Sequence, residues 1–282
     1  ARALRRSRGA LCWFAGRHAL ALSILGRILR RPVAVVVGGY EAARLPEIGY
    51  GLCLDPKGRR IAAGALRACR RVVVNSDFMR DRVLSEFGLP TAKVVRIHHG
   101  IETPIGPLPF PREPVVLTVA QADRPDIVRL KGLDVFVEAA RSCPEYRWIL
   151  AGVSEDAQVR AFLKAAPANV ECLGFLEADA LGDLYRRARF YAQLSGYEGF
   201  GMALAEAMAQ GCVPVTTGAG AMPEITGNLD RRVPVGAAAA VVAAVRSGVP
   251  AREDHERMAQ RIRETFPLES RARGLARVLQ AA

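Results

Sequence analysis

Two apolar runs of five residues, Phe190-Tyr191-Ala192-Gln193-Leu194 and Cys212-Val213-Pro214-Val215-Thr216, constrain this chain more than any other feature. Each is too short for a buried helix and reads as a strand covered on both faces. Ser195 to Gly201 between them is glycine-rich, and Met202 to Gln210 is built from Ala, Leu, Met and Glu. Those last residues are good helix formers, and Gly211 is suited to end the helix. Strand, turn, helix and strand in that order predict a parallel pair with a helical crossover. The turn then lies at the carboxyl edge of the sheet, where open α/β folds bind ligands.

Two carboxylates frame this turn. Glu198 precedes the helix and Glu206 lies within it, more than one turn from its start. Gly199 and Gly201 remove Cβ atoms where a ligand approaches the backbone. The N–H groups of the first helical turn favour an anion such as a diphosphate. A carboxylate beside them is an acceptor suited to sugar hydroxyls. A surface loop with two solvated glutamates fits the same pattern, and a glycine-rich turn alone does not decide between the two.

The rest of the chain repeats the alternation. Strands are expected at Val33–Val37, Arg71–Val74 and Val94–Ile97, with helices over 19–29, 57–69 and 77–87 and Ser76 as an N-cap. Thr103 to Pro111 holds four prolines and predicts an extended connector. Beyond it, strands are expected at Val115–Ala120, 147–151, 169–173 and 232–235. Helices are expected over 132–142, 155–165, 178–187, 237–247, 252–265 and 268–281. Lys131, with Arg129 two residues before it, follows the first of these strands and so shares the sheet edge of Glu198. Such a cation pair neutralises a leaving diphosphate, although a solvated loop charge fits too.

The formal charge is +12, nearly all from arginine, with lysines only at 57, 93, 131 and 164. A basic surface attracts polyanions, whether nucleotide phosphates, acidic lipids or nucleic acid. The aromatics are few and no nucleic-acid motif is present, so no nucleic-acid partner is expected. The first acid is Glu41, and the helix expected over 19–29 reads as an ordinary packed helix or as a basic element touching an anionic membrane. Arg17, His18 and Arg27 interrupt the apolar stretch Leu11–Leu29, a poor spanning helix. Six scattered cysteines with no C-x-x-C pair read as buried free thiols in a reducing cytosol. No Asp-x-Asp and no zinc spacing occurs, so no metal is expected.

Glu198, seven intervening residues and Glu206, inside EGFGMALAEAMAQGCVPV, resemble the signature of family 4 retaining glycosyltransferases. Val72–Met79, Val95–Glu102, Lys131–Asp134 and Gly220–Ile225 fall in that family's order. The resemblance covers nearly the whole chain. It implies an α/β fold of the GT-B class, two Rossmann-like domains with parallel sheets facing a cleft. The implied division is a partial acceptor-side domain over 1–107, a nucleotide-sugar-binding domain over 108–266, and a helix over 267–282 crossing back to the first. The first domain is expected to be incomplete, lacking strands before Leu11.

The implied activity is metal-independent transfer of a hexose-type sugar from a nucleotide-diphosphate donor, with retention, to a glycan, lipid or small-molecule hydroxyl, without a cofactor. Glu206 then resembles the acceptor of the donor's ribose hydroxyls, and Glu198 the residue that orients the donor sugar. Gly199, Phe200 and Gly201 resemble the backbone that binds sugar and phosphate, and Phe175 and Leu176 the segment beside the nucleobase. Lys131 with Arg129 would neutralise the diphosphate, but Arg124 competes for the arginine's role. Met222 and Glu224 fit either a cleft lining or a plain turn. The family's frequent histidine after the strand at 33–37 is absent; Gly38 stands there, and His98 and His99 read as structural. The expected location is cytoplasmic, with peripheral contact at the cytoplasmic membrane face. Two other readings stay open: a remnant that binds nucleotide sugar without transfer, and a basic binder of membrane surfaces or nucleic acid.

Overall fold

The computed structural model describes residues 2–153, 156, 159, 161, 162 and 165–280. The helix expected over 155–165 falls largely outside them. The chain forms two compact units, Ala1–Gly100 with Leu268–Ala282, and Ile101–Pro267. Ile101, which opens the second unit, is buried, and its N–H donates to Phe266 O at 2.8 Å.

Unit 1 holds helix α1 (Arg2–Arg6), strand β1 (Ala10–Trp13), α2 (Arg17–Ile28), β2 (Val33–Val36), α3 (Pro56–Ala68), β3 (Arg71–Val74), α4 (Asp77–Phe87) and β4 (Val94–Arg96). The four strands pair in parallel in chain order, β1-β2-β3-β4. Val33 to Val37 is almost fully buried because helices cover both faces. The helix ends follow local rules. Asp55 accepts from the N–H groups of Lys57 and Gly58 to cap α3, and Ser76 accepts from Met79 N–H to cap α4. Strand β1 is not legible in the sequence, where the apolar run from Leu11 to Leu29 hides the break at Gly16. The last helix of the chain, Leu268–Gln280, belongs to unit 1. Its Val278 packs with Ala34, Val36, Val73 and Ile97, and its buried Arg271 donates to Ile97 O at 2.5 Å.

Unit 2 carries β5 (Glu113–Ala122), α5 (Pro125–Leu130), α6 (Leu133–Arg141), β6 (Arg147–Val153), β7 (Val170–Cys172), α7 (Ala178–Arg187), β8 (Ala188–Gln193), α8 (Met202–Ala209), β9 (Val213–Thr216), α9 (Met222–Thr226), β10 (Arg231–Arg232), α10 (Ala238–Arg246) and α11 (Arg252–Thr265). Its six strands are parallel in the order β10-β9-β8-β5-β6-β7. Trp148, Tyr191, Phe136, Phe190 and Phe266 fill the core. Gly211 (φ +85°) ends α8 as expected, with Cys212 N–H donating to Ala207 O at 2.9 Å. Three details depart from the sequence reading. Residues 125–130 are a short helix, 222–226 form another with Met222 in the core, and β10 covers only two residues. Five cysteines are buried free thiols, whereas Cys172 is exposed.

Candidate functional site

From β5 the chain steps outward through β6 to β7, and from β8 it steps the other way through β9 to β10. The direction of winding therefore reverses between β5 and β8. In open α/β sheets such a reversal point, at the carboxyl ends of the strands, is the usual ligand position. Lys131 follows β5 and Glu198 follows β8. Lys131 Nζ donates to Glu198 Oε2 at 2.9 Å, with side chains 25% and 15% exposed.

Backbone contacts hold the two loops together. Gly196 N–H donates to Leu130 O at 2.9 Å. Gly132 adopts φ +65°, and a Cβ on it would lie 2.3 Å from Leu194 O. Gly132→Ala is therefore expected to cost about 3 kcal/mol or more, from a strained φ and a backbone clash together. Gly236, at φ +78° with nothing within 4 Å of a Cβ, isolates the first cause. Gly236→Ala is expected to cost only about 1–2 kcal/mol. Urea melts of the two variants check this; equal losses would refute the close approach.

A buried network aims Glu198. Tyr191 Oη donates to Gln193 Oε1 at 3.0 Å, and Gln193 Nε2 donates to Ser195 Oγ at 2.8 Å and to Glu198 Oε2 at 3.2 Å. Glu198 O accepts from Ala221 N–H at 2.9 Å. Gln193 was missed as a site residue by the sequence reading. Its signal is a polar side chain inside a run otherwise apolar and covered on both faces, since a buried amide needs partners.

Glu206 is the one charged residue of α8, whose Leu204, Ala205, Ala207, Met208 and Ala209 are all buried. Its half-buried carboxyl is pushed above its ordinary range by burial, offset in part by the Tyr185 hydroxyl that donates to Oε2 at 3.4 Å. The Tyr191 hydroxyl is driven up by burial first, and the charges of Glu198 and Glu206 both add to this. The two carboxylates thus act on the same buried ring. Gly201, at φ +103°, opens α8, whose first N–H groups have no acceptor within the helix. Gly199 and Phe200 are buried behind that turn, and Phe200 stacks edge-on against Phe266.

The other predicted residues fall as follows. Arg129 is exposed on the last turn of α5, while Arg124 forks onto Asp126 at 3.1 and 2.9 Å. Phe175 is 81% exposed and Leu176 half-buried, just beyond Gly174, whose carbonyl accepts from Gly152 N–H. Met222 does not line a surface; it is fully buried. Among the described residues no group of three or more His, Cys, Asp or Glu could hold a metal ion.

In unit 1 the carboxyl edge of the sheet holds Glu41, which the sequence reading noted only as the first acid. Its buried carboxylate accepts from Ala15 N–H at 3.2 Å and Gly38 N–H at 3.3 Å, and burial pushes its carboxyl up. A Cβ on Gly38 would meet Glu41 Oε2 at 3.1 Å, which explains a small residue there. His99 hydrogen-bonds Asn75 at 3.3 Å and is driven down to about 4 by burial, with Arg271 and His98 adding repulsion. As pH falls below the ordinary imidazole value, the unfolded chain takes up a proton that folded His99 refuses until about pH 4. Its share of stability is full above that window and is lost across it, about 1–3 kcal/mol. His99→Gln should lose less stability than the native chain between pH 7 and about pH 4 in urea titrations; equal losses would refute this.

Residues 108–265 match the family described as glycosyl transferases group 1, and residues 7–104 match glycosyltransferase family 4. No curated protein sequence matches the chain. Solved structures do. HepE of Anabaena, crystallised with UDP and glucose, is similar at TM-score 0.77 and 18% identity over 100% of this chain and 80% of that one. Sucrose-phosphate synthase of Thermosynechococcus elongatus gives TM-score 0.77 and 18% identity over 96% and 72%. The pneumococcal O-GlcNAc transferase GtfA, with UDP and GlcNAc, gives TM-score 0.72 and 16% identity over 99% and 59%. Both units are Rossmann-like, with parallel sheets flanked by helices, and the fold is GT-B. The family match over more than half the chain, on a fold shared with those enzymes, makes this protein a member of the glycosyl transferases group 1 family.

Proposed function

We propose that the protein transfers a hexose-type sugar from a nucleotide-diphosphate donor to an acceptor hydroxyl, with retention at the anomeric carbon. The observation that carries this is the Lys131–Glu198 pair at the reversal point between β5 and β8, beside the open end of α8. The ammonium has three donors, so it keeps Glu198 and still reaches a phosphate oxygen. The first N–H groups of α8, which have no acceptor within the helix, add partial positive charge. Glu206 accepts from the ribose hydroxyls, and exposed Phe175 with Leu176 gives the nucleobase an apolar surface.

In the reaction the bond from anomeric carbon to diphosphate oxygen breaks, and the acceptor oxygen bonds to that carbon from the same face. The acceptor's proton passes to the leaving phosphate oxygen. Lys131 and the helix N–H groups hold the charge that develops on the diphosphate, with Arg129 or Arg124 as the further cation. This distribution asks for no divalent metal or cofactor. Donor recognition is assigned to unit 2 and acceptor recognition to unit 1. The acceptor classes are a glycan, a lipid or a small molecule, the second consistent with a peripheral membrane contact.

A thermal-shift screen across UDP-, GDP-, ADP- and CMP-sugars tests donor binding, starting with UDP-hexoses because HepE was crystallised with UDP and glucose. The donor that binds is then incubated with candidate acceptors with and without EDTA. Proton NMR of the anomeric signal reads the stereochemistry. An inverted product, or activity abolished by EDTA and restored by a divalent metal, would overturn the mechanism. Donor binding with no transfer to any acceptor class would support the binding remnant instead.

A further inference from the structure

The carboxyl edges of both sheets are used by the residues above. The amino edge of the unit 1 sheet carries a separate feature. A cavity of about 460 Å³ lies where α2 ends and where β2, β3 and β4 begin, and it is lined by Ser23, Arg27, Arg30, Arg31, Arg70 and Lys93. Gly26, Pro32, Val33, Ala68 and Cys69 complete the wall, and no acidic side chain is among the lining residues. Five cations thus surround one small volume.

Part of this charge has a local explanation. Arg27 donates to Ala68 O at 2.7 Å and Arg67 O at 2.8 Å, and Lys93 donates to Arg67 O at 2.7 Å. These carbonyls end α3, where the helix dipole favours cations. Arg31 donates to Arg5 O at 3.1 Å. Helix capping does not account for Arg30 and Arg70, both exposed on the wall. Arg30 takes φ +52° at the end of α2, where Arg31 N–H donates to Gly26 O at 2.8 Å. Glycine fits that left-handed position without strain, and an arginine there costs about 1 kcal/mol.

A second, independent observation is Ser23. It is 1% exposed, and its hydroxyl has no hydrogen-bond partner in the protein although it lines the cavity. A buried hydroxyl without a partner is costly, so it marks a place where something else donates or accepts. Lys93 is drawn below its ordinary value by burial; Cys69 opposes this, and Arg27 and Arg71 add to it. The Cys69 thiol is pushed up to about 11, chiefly by burial, with Lys93 and Arg27 acting against this.

We propose that this cavity binds a phosphoryl anion, held by Arg30, Arg70 and Lys93 and by the Ser23 hydroxyl. Its volume admits a phosphate or a short phosphoester, and guanidinium forks match phosphate oxygens in geometry and charge. The anion comes either as a free phosphorylated solute or as the headgroup of an acidic lipid. The chemistry of recognition is the same for both.

The test uses the full chain carrying Lys131→Ala, which takes one cation out of the anion site proposed in unit 2; whatever that site still binds is common to the two variant pairs and cancels in their comparison. Arg30→Gln with Arg70→Gln is compared with a control pair, Arg60→Gln with Arg263→Gln, which removes the same charge from exposed positions elsewhere. Inorganic phosphate and pyrophosphate are titrated by calorimetry. Vesicles of phosphatidylcholine, with and without phosphatidic acid, are used in sedimentation. The expected result is saturable binding in at least one arm, weakened tenfold or more in the cavity pair and less than twofold in the control pair. Binding of free phosphate assigns a solute. Binding only to phosphatidic acid vesicles assigns a lipid headgroup. Ser23→Ala should raise the melting temperature without phosphoryl ligand and reduce the increase that the ligand gives. No binding in either arm, equal loss in the two pairs, or an unchanged ligand response in Ser23→Ala would overturn the proposal.

Discussion

Lys131→Ala is expected to lower sugar transfer by about 10²–10³-fold, the usual loss when one preorganised donor is removed from a developing charge. The lysine is tied to Glu198 at 2.9 Å and is only 25% exposed, so the replacement leaves water to do the work of a fixed cation. Most of the loss should fall on kcat, because the charge on the bridging oxygen grows as the bond breaks and is small in the bound donor. The half-buried Glu198 carboxylate also loses its ion partner while the Gln193 amide stays, which costs about 1–3 kcal/mol of stability. Lys57, exposed on the first turn of α3, is the control, and its alanine variant should be indistinguishable from native. Steady-state kinetics with the donor found in the thermal-shift screen measure both. A kcat loss under threefold for Lys131→Ala would remove the lysine from the mechanism.

Glu206→Ala should weaken donor binding about 10- to 100-fold, the loss of about 1.5–3 kcal/mol expected for a charge-assisted hydrogen bond in a half-buried site. The structure adds a second signature. Burial raises the Glu206 carboxyl above its unfolded value, so the folded chain holds that proton more tightly. The linkage is then opposite to that of His99. The contribution is full below the ordinary carboxylate range and is lost as pH rises through the raised folded value. Glu206→Gln should flatten that slope in donor-free protein while still binding donor less well than native. Isothermal titration and urea melts across pH 4 to 7 check the pair of effects. Unchanged affinity in folded Glu206→Ala would sink the ribose assignment. An unchanged slope in Glu206→Gln would show that burial does not tune the group.

Much of the fold could be read directly from the chain because its signals are local. The runs at 33–37, 71–74 and 190–194, the cap at Ser76 and the stop at Gly211 need only their own neighbours to specify strand, cap and end. Local patterns failed where two elements share one apolar run, as at β1 and α2. They also failed where a short helix has too few turns to show a period, as at 125–130 and 222–226. The type and spacing of Glu198 and Glu206 were likewise visible, whereas their surroundings were not.

Strand order is a non-local choice, made by which faces bury most apolar surface together. Only the placing of β5 beside β8 brings Lys131 to Glu198 across 67 positions of sequence. The same choice turns Gln193 from a strand residue into the group that aims Glu198. It also makes Gly132 indispensable, because its missing Cβ is what lets the Lys131 loop lie on Leu194 O. In unit 1, Glu41 becomes a buried acceptor of two backbone N–H groups, and scattered arginines become one cavity, only when parallel strands align their ends. The sequence by itself determined the elements and the chemistry they carry. The tertiary structure decided which of those groups meet, because hydrogen bonds and ion pairs act over a few ångströms and the chain must fold to bring distant residues that close.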